Sequence, residues 1–275
     1  MSAENPLSPD GLGSHVGDGT SFHLFKSFGV ETIDLPVIFG FQITKFMVLE
    51  VLVAVVMLAI FLPLARKIST GKPIRGRFWN MMEAFLLFFR DQVARPAIGH
   101  DADKFLPIIW TTFFFILFCN LFGMIPCGGS PTATLAVTGV LAAFAFVTTV
   151  IAGSRKFGPV KFWLNQVPHM DVPFGLGYIL KPMLFVIEVF GLFVKFLVLA
   201  IRLFANMFAG HLVLAVFMAF VGATAGAGFL WYVVSFPSMA VAVAVSFLEI
   251  FVAFLQAYIF TFLMALFIGM ATHSH

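Results

Sequence analysis

Charged residues are scarce in this chain of 275 residues: Asp, Glu, Lys and Arg together make up 11% of it, against 61% hydrophobic residues. Soluble globular domains carry roughly 25% charged residues, so this composition excludes a soluble domain and predicts a polytopic membrane protein. The net charge of +3 does not indicate nucleic-acid binding, because the basic residues stand beside apolar runs. That placement is typical of membrane proteins, whose cytoplasmic loops are rich in Lys and Arg.

Cysteine is almost absent as well. Cys119 and Cys127 flank the end of one apolar run, and their spacing favours neither a disulfide nor a metal site. The sequence has no nucleophile motif and no metal-ligand cluster, and we expect His273 and His275 to be solvated. We therefore expect neither an enzyme nor a bound cofactor. The first 20 residues are polar and Gly-rich, without a basic region followed by an apolar core, so we expect no cleavable signal peptide.

Long apolar runs follow a polar N-terminal segment, 1–40, and define a membrane domain, 41–275. Runs of about 20 residues are long enough to cross a hydrocarbon core of roughly 30 Å, so they predict spanning helices. Three such runs lie near residues 46–64, 105–126 and 133–153. Pro63 is expected to end the first helix.

Basic clusters follow the first and the third of these runs, and they place both ends in the cytoplasm. The N-terminus is therefore expected outside and the C-terminus in the cytoplasm. The clusters are Arg66, Lys67, Lys72, Arg75 and Arg77, and Arg155, Lys156 and Lys161.

Residues 79–94 have a different pattern. Apolar side chains recur there at helical spacing, but Glu83, Arg90 and Asp91 interrupt the run. Because the stretch is too short and too charged to span a bilayer, it predicts an amphipathic helix lying on the cytoplasmic face.

The two last apolar segments, 181–221 and 229–272, are unusually long and are separated by a run of small residues. Each has about 40 residues and would extend roughly 60 Å as a continuous helix, twice the hydrocarbon thickness. Ordinary tilts average about 20° and do not accommodate this length. We therefore predict an all-α integral membrane fold of about five membrane helices and one surface helix, in which the last two form a steeply tilted hairpin.

Arg202 stands in the middle of the first long segment. An arginine at the centre of a membrane helix costs about 3 kcal/mol even on the mildest scales, so its default interpretation is functional. The alternative is a structural arginine held by backbone carbonyls or a carboxylate. Glu188 and Lys195 precede it at intervals of seven and share its stripe, where they either pair with each other or serve function.

The remaining polar side chains predict contacts between the two long helices. Ser246, Glu249 and Gln256 share one face of the second helix, and Asn206 and Ser246 are of the type that hydrogen-bonds between helices in membranes. His211 is half a turn out of phase with the arginine and is expected to contact Glu249. That pair is either a static bridge or a proton relay, because an imidazole exchanges protons near neutral pH.

Two motifs resemble a known family. The run Arg202-Leu-Phe-Ala-Asn-Met-Phe-Ala-Gly210 and the later Leu255-Gln-Ala-Tyr-Ile-Phe260 resemble the signatures of the subunit a family of rotary F-type ATP synthases. Glu188, fourteen residues before the arginine, and Asn120-Leu-Phe-Gly-Met-Ile-Pro126 extend the resemblance over most of the chain from the first span onward.

The resemblance implies a non-catalytic stator subunit in the bacterial inner membrane rather than an organelle membrane, beside a rotating ring of c subunits and the peripheral-stalk subunit b. It implies that Arg202 separates two offset half-channels for protons and lies on a surface that this chain's own helices leave uncovered. The other site residues that it implies are Asn206, His211, Glu249 and Gln256 on the outer path or near the arginine, Glu188 on the cytoplasmic path, and Lys195 and Ser246 in support.

The sequence departs from many bacterial members in two ways. They carry Glu after the glycine of the motif and His on the last helix, whereas here His211 and Glu249 have exchanged places. Gly123 occupies a position that is often acidic in the family. A secondary transporter is the alternative from another class, but such a protein would show internal repeats, which this sequence lacks.

Overall fold

The structure of the protein is a computed structural model. It describes residues 21–22, 33–34, 37–38, 41–69, 76–124, 130–164, 177–224, 226 and 228–273. Most of the predicted N-terminal segment 1–40 lies outside the described residues, as do Lys72, Arg75, Cys127 and His275.

The predicted all-α membrane fold is confirmed, because five of the described helical stretches are long and apolar enough to cross a membrane. They are Lys45–Ser69, Arg77–Gly123, Leu135–Phe157, Leu180–Ala223 and Phe229–Thr272. The described strands have two residues each and form two antiparallel pairs, Ser21–Phe22 with Ile33–Asp34 and Val37–Ile38 with Phe41–Gln42.

The first helix, α1, runs from Lys45 to Ser69. Pro63 lies inside it, so the expectation that this proline ends the helix is wrong. A proline removes one backbone hydrogen bond, and helices in membrane proteins continue past it where neighbouring groups satisfy the freed carbonyl.

The surface helix predicted over 79–94 does not stand apart from the next span. Its segments are α2 (Arg77–Phe88), a π-helical stretch (Phe89–Ala94), α3 (Arg95–Ile98), a 3-10 turn (Gly99–Asp101) and α4 (Ala102–Gly123). The π-helical stretch buries Phe89 and Val93, so these two side chains belong to the interior. The chain bends at Gly99, whose φ of 78° suits a residue without a side chain.

The second half of the chain contains the longest helices. A 3-10 turn (Pro131–Ala133) leads to α5 (Leu135–Phe157) and the short α6 (Pro159–Leu164), followed by α7 (Gly177–Ala223) and α8 (Phe229–Thr272). With 47 and 44 residues, α7 and α8 are the two helices that the length argument identified. At 1.5 Å per residue each measures roughly 65–70 Å, so their inclination in the membrane stays a prediction.

Each long helix buries one stripe of side chains at intervals of three and four residues. On α7 the stripe is Leu192, Phe196, Leu199, Leu203 and Met207. On α8 it is Glu249, Ala253, Gln256, Phe260, Met264 and Phe267. Two polar side chains therefore belong to the buried face of α8, whereas Arg202 lies off the buried stripe of α7.

The chain divides into two compact units by its internal contacts. The first comprises the residues up to Arg66, Phe114–Thr138 and Leu203–Ala257; the second comprises Lys67–Phe113, Gly139–Arg202 and Tyr258–His275. The first unit contains the polar side chains of α7 and α8 that follow Arg202 and precede Tyr258.

The second unit has an aromatic core. The rings of Phe89 and Phe113 lie 4.2 Å apart between centroids, and those of Phe196 and Phe267 lie 4.9 Å apart. On its surface Arg90 binds Asp103 at 3.1 Å, which joins the π-helical stretch to α4.

Candidate functional site

Arg202 lies on the exposed surface of α7, which confirms the prediction that this chain's own helices leave it uncovered. In the part of the chain that the structure describes, it makes neither a salt bridge nor a hydrogen bond. The alternative of a structural arginine held by its own chain therefore finds no support among those residues.

His211 of α7 and Glu249 of α8 are brought together, with 3.3 Å between Nδ1 and Oε1. This is the contact that the helical phase predicted. The side chains are 13% and 3% exposed, so the pair lies inside the first unit. Among the described residues, the two carboxylate oxygens of Glu249 and the Nε2 of His211 have no hydrogen-bond partner.

Gly210 makes room for this contact. A Cβ built on it would lie 2.7 Å from Oε1 of Glu249 and 3.0 Å from its Cδ, closer than van der Waals contact allows. The carboxylate therefore occupies the space that any other residue at position 210 would fill. The sequence motif ends at this glycine, and the structure gives a physical reason for the residue type.

Asn206 and Gln256 form the interhelical hydrogen bond expected of Asn206, in which Nδ2 donates to Oε1 of Gln256 at 3.0 Å. Gln256 is 2% exposed. Because Asn206 precedes His211 on α7 while Gln256 follows Glu249 on α8, the two helices run antiparallel here. Both contacts to α8 use residues of α7 that follow Arg202 in the sequence.

The expectation for Ser246 is wrong, and one of the two alternatives for Glu188 and Lys195 is not seen. Ser246 donates its hydroxyl to the carbonyl of Ala242 at 2.9 Å within α8, not to the other helix, as serines in helices commonly do. Glu188 and Lys195 do not pair with each other, because seven residues separate them by about 10.5 Å along the axis. Glu188 is half-buried and Lys195 exposed, both on the surface of the second unit.

Lys45 is buried, which the sequence did not indicate. It is the first residue of α1, is 6% exposed, and lies close enough to His211 to act on it electrostatically. A lysine at the start of an apolar run is typical of a residue that anchors a helix at the interface, so nothing in the sequence indicated burial.

A second missed feature is a buried chain of polar side chains. Asn120 of α4 donates Nδ2 to the carbonyl of Ala253 at 3.3 Å, and Thr132 donates to Oδ1 of Asn120 at 2.6 Å. The hydroxyls of Ser130 and Thr132 are 2.6 Å apart. Asn120 begins the motif that ends at Pro126, but its bond partners lie up to 133 residues away.

Comparisons with known proteins agree on one family. The family described as ATP synthase A chain matches residues 47–269. ATP synthase subunit a of Chlorobium phaeobacteroides is 39% identical over 265 residues, covering 94% of this chain and 73% of that protein. ATP synthase subunit a 2 of Chlorobium luteolum is 38% identical over 98% of this chain and 77% of its own length, and that of Prosthecochloris aestuarii is 36% identical over 98% and 84%. The chain belongs to the ATP synthase A chain family.

Proposed function

We propose that this protein is the proton-translocating stator subunit of a bacterial ATP synthase, and that Arg202 separates two half-channels within it. Membership in the family supports a role in ATP synthesis and ion transport across a membrane. The partners are the c-ring and the peripheral-stalk subunit b, and the ATP chemistry belongs to other subunits. The basic clusters support an outside N-terminus and a cytoplasmic C-terminus.

The observation that carries the proposal is the position of Arg202. It is exposed on an apolar helix and has no counter-charge among the described residues, whereas the polar side chains that follow it on α7 face α8. A cation at membrane depth requires a compensating group. A carboxylate on the rotating ring supplies one, and it does so only while that site passes the arginine.

The chemistry follows from the energetics of charge in lipid. A ring carboxylate is too costly to move through hydrocarbon in its charged form, so it travels protonated. Beside the guanidinium the carboxylate is stabilised, and its proton leaves. Arginine serves better than lysine because it stays charged when desolvated, and a fixed cation also repels protons from a direct leak. A membrane potential of 100 mV contributes about 2.3 kcal/mol per charge to the direction of rotation.

The outer path is assigned to the buried polar groups of the first unit. His211 and Glu249 form its relay, because an imidazole beside a carboxylate accepts and releases protons, and Asn206 and Gln256 continue it toward the arginine. The cytoplasmic path is assigned to Glu188, with Lys195 in support. A relay through imidazole favours protons over sodium as the coupling ion.

The test uses the assembled ATP synthase in inverted membrane vesicles. Arg202→Ala is expected to abolish ATP-driven proton pumping, measured by quenching of a pH-sensitive dye, while the subunit still co-purifies with the c-ring. Lys181→Ala is the matched control, because it removes another exposed cation from the same helix. Pumping that survives in Arg202→Ala at more than a small fraction of the parent level contradicts the separator role.

A further inference from the structure

The polar chain that ends on Ala253 lies in the interior of the first unit. The side chains of Asn120, Thr132 and Ser130 are 0% exposed, as is Ala253 itself. Three separate segments meet there: α4 contributes Asn120, the 3-10 turn region contributes Ser130 and Thr132, and α8 contributes the backbone carbonyl. Ser130 also reaches the carbonyl of Cys119 on α4 at 3.4 Å.

The hydrogen bond to Ala253 is not needed to satisfy that carbonyl. Inside α8 the carbonyl already accepts from the backbone N–H four residues later, and its second lone pair takes the amide of Asn120. Buried polar side chains are costly unless they are bonded, so each member of the chain depends on the next. The arrangement ties α4 and the 3-10 turn to one point on α8.

That point lies between the two polar side chains of α8 used in the proposed function. Ala253 is one turn after Glu249 and three residues before Gln256. It also packs against Met207 of α7 and Ala133, next to the threonine of the polar chain. The tie therefore acts on the turn of α8 that faces His211 and Asn206.

Gly123 leaves room for Ser130 beside α4. A Cβ at position 123 would overlap the Cβ of Ser130 and lie 2.6 Å from its Cα. Ser130 thus occupies the space in which a side chain at 123 would stand. A side chain at position 123, acidic or not, is therefore incompatible with Ser130 in its present place.

We propose that Asn120, Thr132 and Ser130 form a positioning clamp that holds the Glu249–Gln256 turn of α8 against α7. The inference rests on the proposed function, because it assigns the clamp to the outer proton path. The clamp residues do not themselves transfer protons on that path. They act by positioning Glu249. The titratable groups that meet around it in the described structure are His211 of α7 and, acting on His211, Lys45 of α1.

The experiment removes one hydroxyl from the clamp and keeps its shape. Thr132→Val deletes the donor to Asn120, Thr132→Ser retains it, and Thr138→Val is the matched control. Thr138 is also 0% exposed, but among the described residues its hydroxyl bonds to the carbonyls of Thr134 and Leu135 in its own turn. Proton flux per copy of the subunit is measured for all three variants in the assembled complex, over a range of pH.

The clamp predicts a loss of flux per assembled complex of about fivefold in Thr132→Val, the equivalent of one net hydrogen bond. It also predicts an altered pH profile, because the distance from Glu249 to His211 changes. Thr132→Ser is expected to restore both, and Thr138→Val to match the parent. Parent-like flux and pH profile in Thr132→Val overturn the clamp, and so does a loss that follows only the amount of assembled subunit.

If Thr132→Val does not assemble, the same two readouts are taken on Ser130→Ala, which leaves the Thr132 and Asn120 bonds in place. A reduced flux with a changed pH profile supports the clamp there, and parent-like values overturn it. Arg202→Ala measured in the same vesicles separates the two proposals. If pumping survives in Arg202→Ala, the proposed function is overturned. If pumping is lost in Arg202→Ala while Thr132→Val has the flux and pH profile of the parent, only the clamp is overturned.

Discussion

The glycine at position 210 gives the most direct test of the His211–Glu249 pair. In Gly210→Ala the new methyl group would lie 2.7 Å from Oε1 of Glu249, whereas ordinary contact begins at 3.4 Å. The carboxylate must therefore retreat from α7 by the difference, about 0.7 Å. It is 3% exposed, so it has little free space to enter.

A shift of that size is large enough to break the contact between Glu249 and His211. The Nδ1–Oε1 distance is 3.3 Å, and hydrogen bonds longer than about 3.5 Å contribute little. A proton passes between two side chains only within hydrogen-bond reach or through one water, so widening the pair is expected to lower proton flux by about tenfold. Assembly is expected to persist, since alanine is the better helix former.

The assay is dye-monitored proton pumping per assembled complex, with two companions. Gly191→Ala on the same helix is the control, because its added Cβ meets nothing within 4 Å. Glu249→Asp combined with Gly210→Ala shortens the acid by one methylene, relieves the overlap and is expected to recover part of the flux. Parent-level flux in Gly210→Ala, or an equal loss in Gly191→Ala, refutes the reasoning.

Hydropathy and helical phase predicted the features that depend on a single segment. A bilayer admits only helices or closed barrels, so a run of apolar residues translates directly into a spanning helix. Arg202 was expected to be uncovered because the family resemblance implies that its partner lies on another subunit. His211 and Glu249 were expected to meet because one imidazole and one carboxylate remained on facing helices.

The features that the sequence could not predict depend on packing between distant segments. Pro63 lies within a helix that continues to Ser69, and the stretch after Phe88 is π-helical, and neither feature follows from the local sequence pattern. Ser246 bonds within its own helix because the nearest carbonyl competes with the partner helix. Spacing along one helix contains no information about that competition.

The polar chain through Asn120 shows the same limit at the site itself. Its motif was visible, yet Asn120 and Ala253 are 133 residues apart in sequence. A single threonine or serine in a loop has no periodicity that would indicate burial. Lys45 was hidden for a similar reason, since the position of a lysine at a helix start does not reveal whether another helix covers it.

Two further predictions concern α8. Glu249→Gln keeps shape and hydrogen-bonding ability but cannot carry charge, so slowed proton flux in an assembled complex is expected, and unchanged flux with an unchanged pH profile would leave the residue a structural role only. Gly269→Ala is expected to destabilise the protein by about 1–3 kcal/mol, because the added Cβ would overlap the carbonyl oxygen of Ala97 on the backbone of α3. Backbone cannot rotate away as a side chain can, so the two helices must separate. Thermal unfolding of the purified complex measures the effect, and Gly139→Ala, which meets nothing within 4 Å, is the control. Equal unfolding temperatures for the two variants would show that α8 and α3 are not in close contact at this glycine.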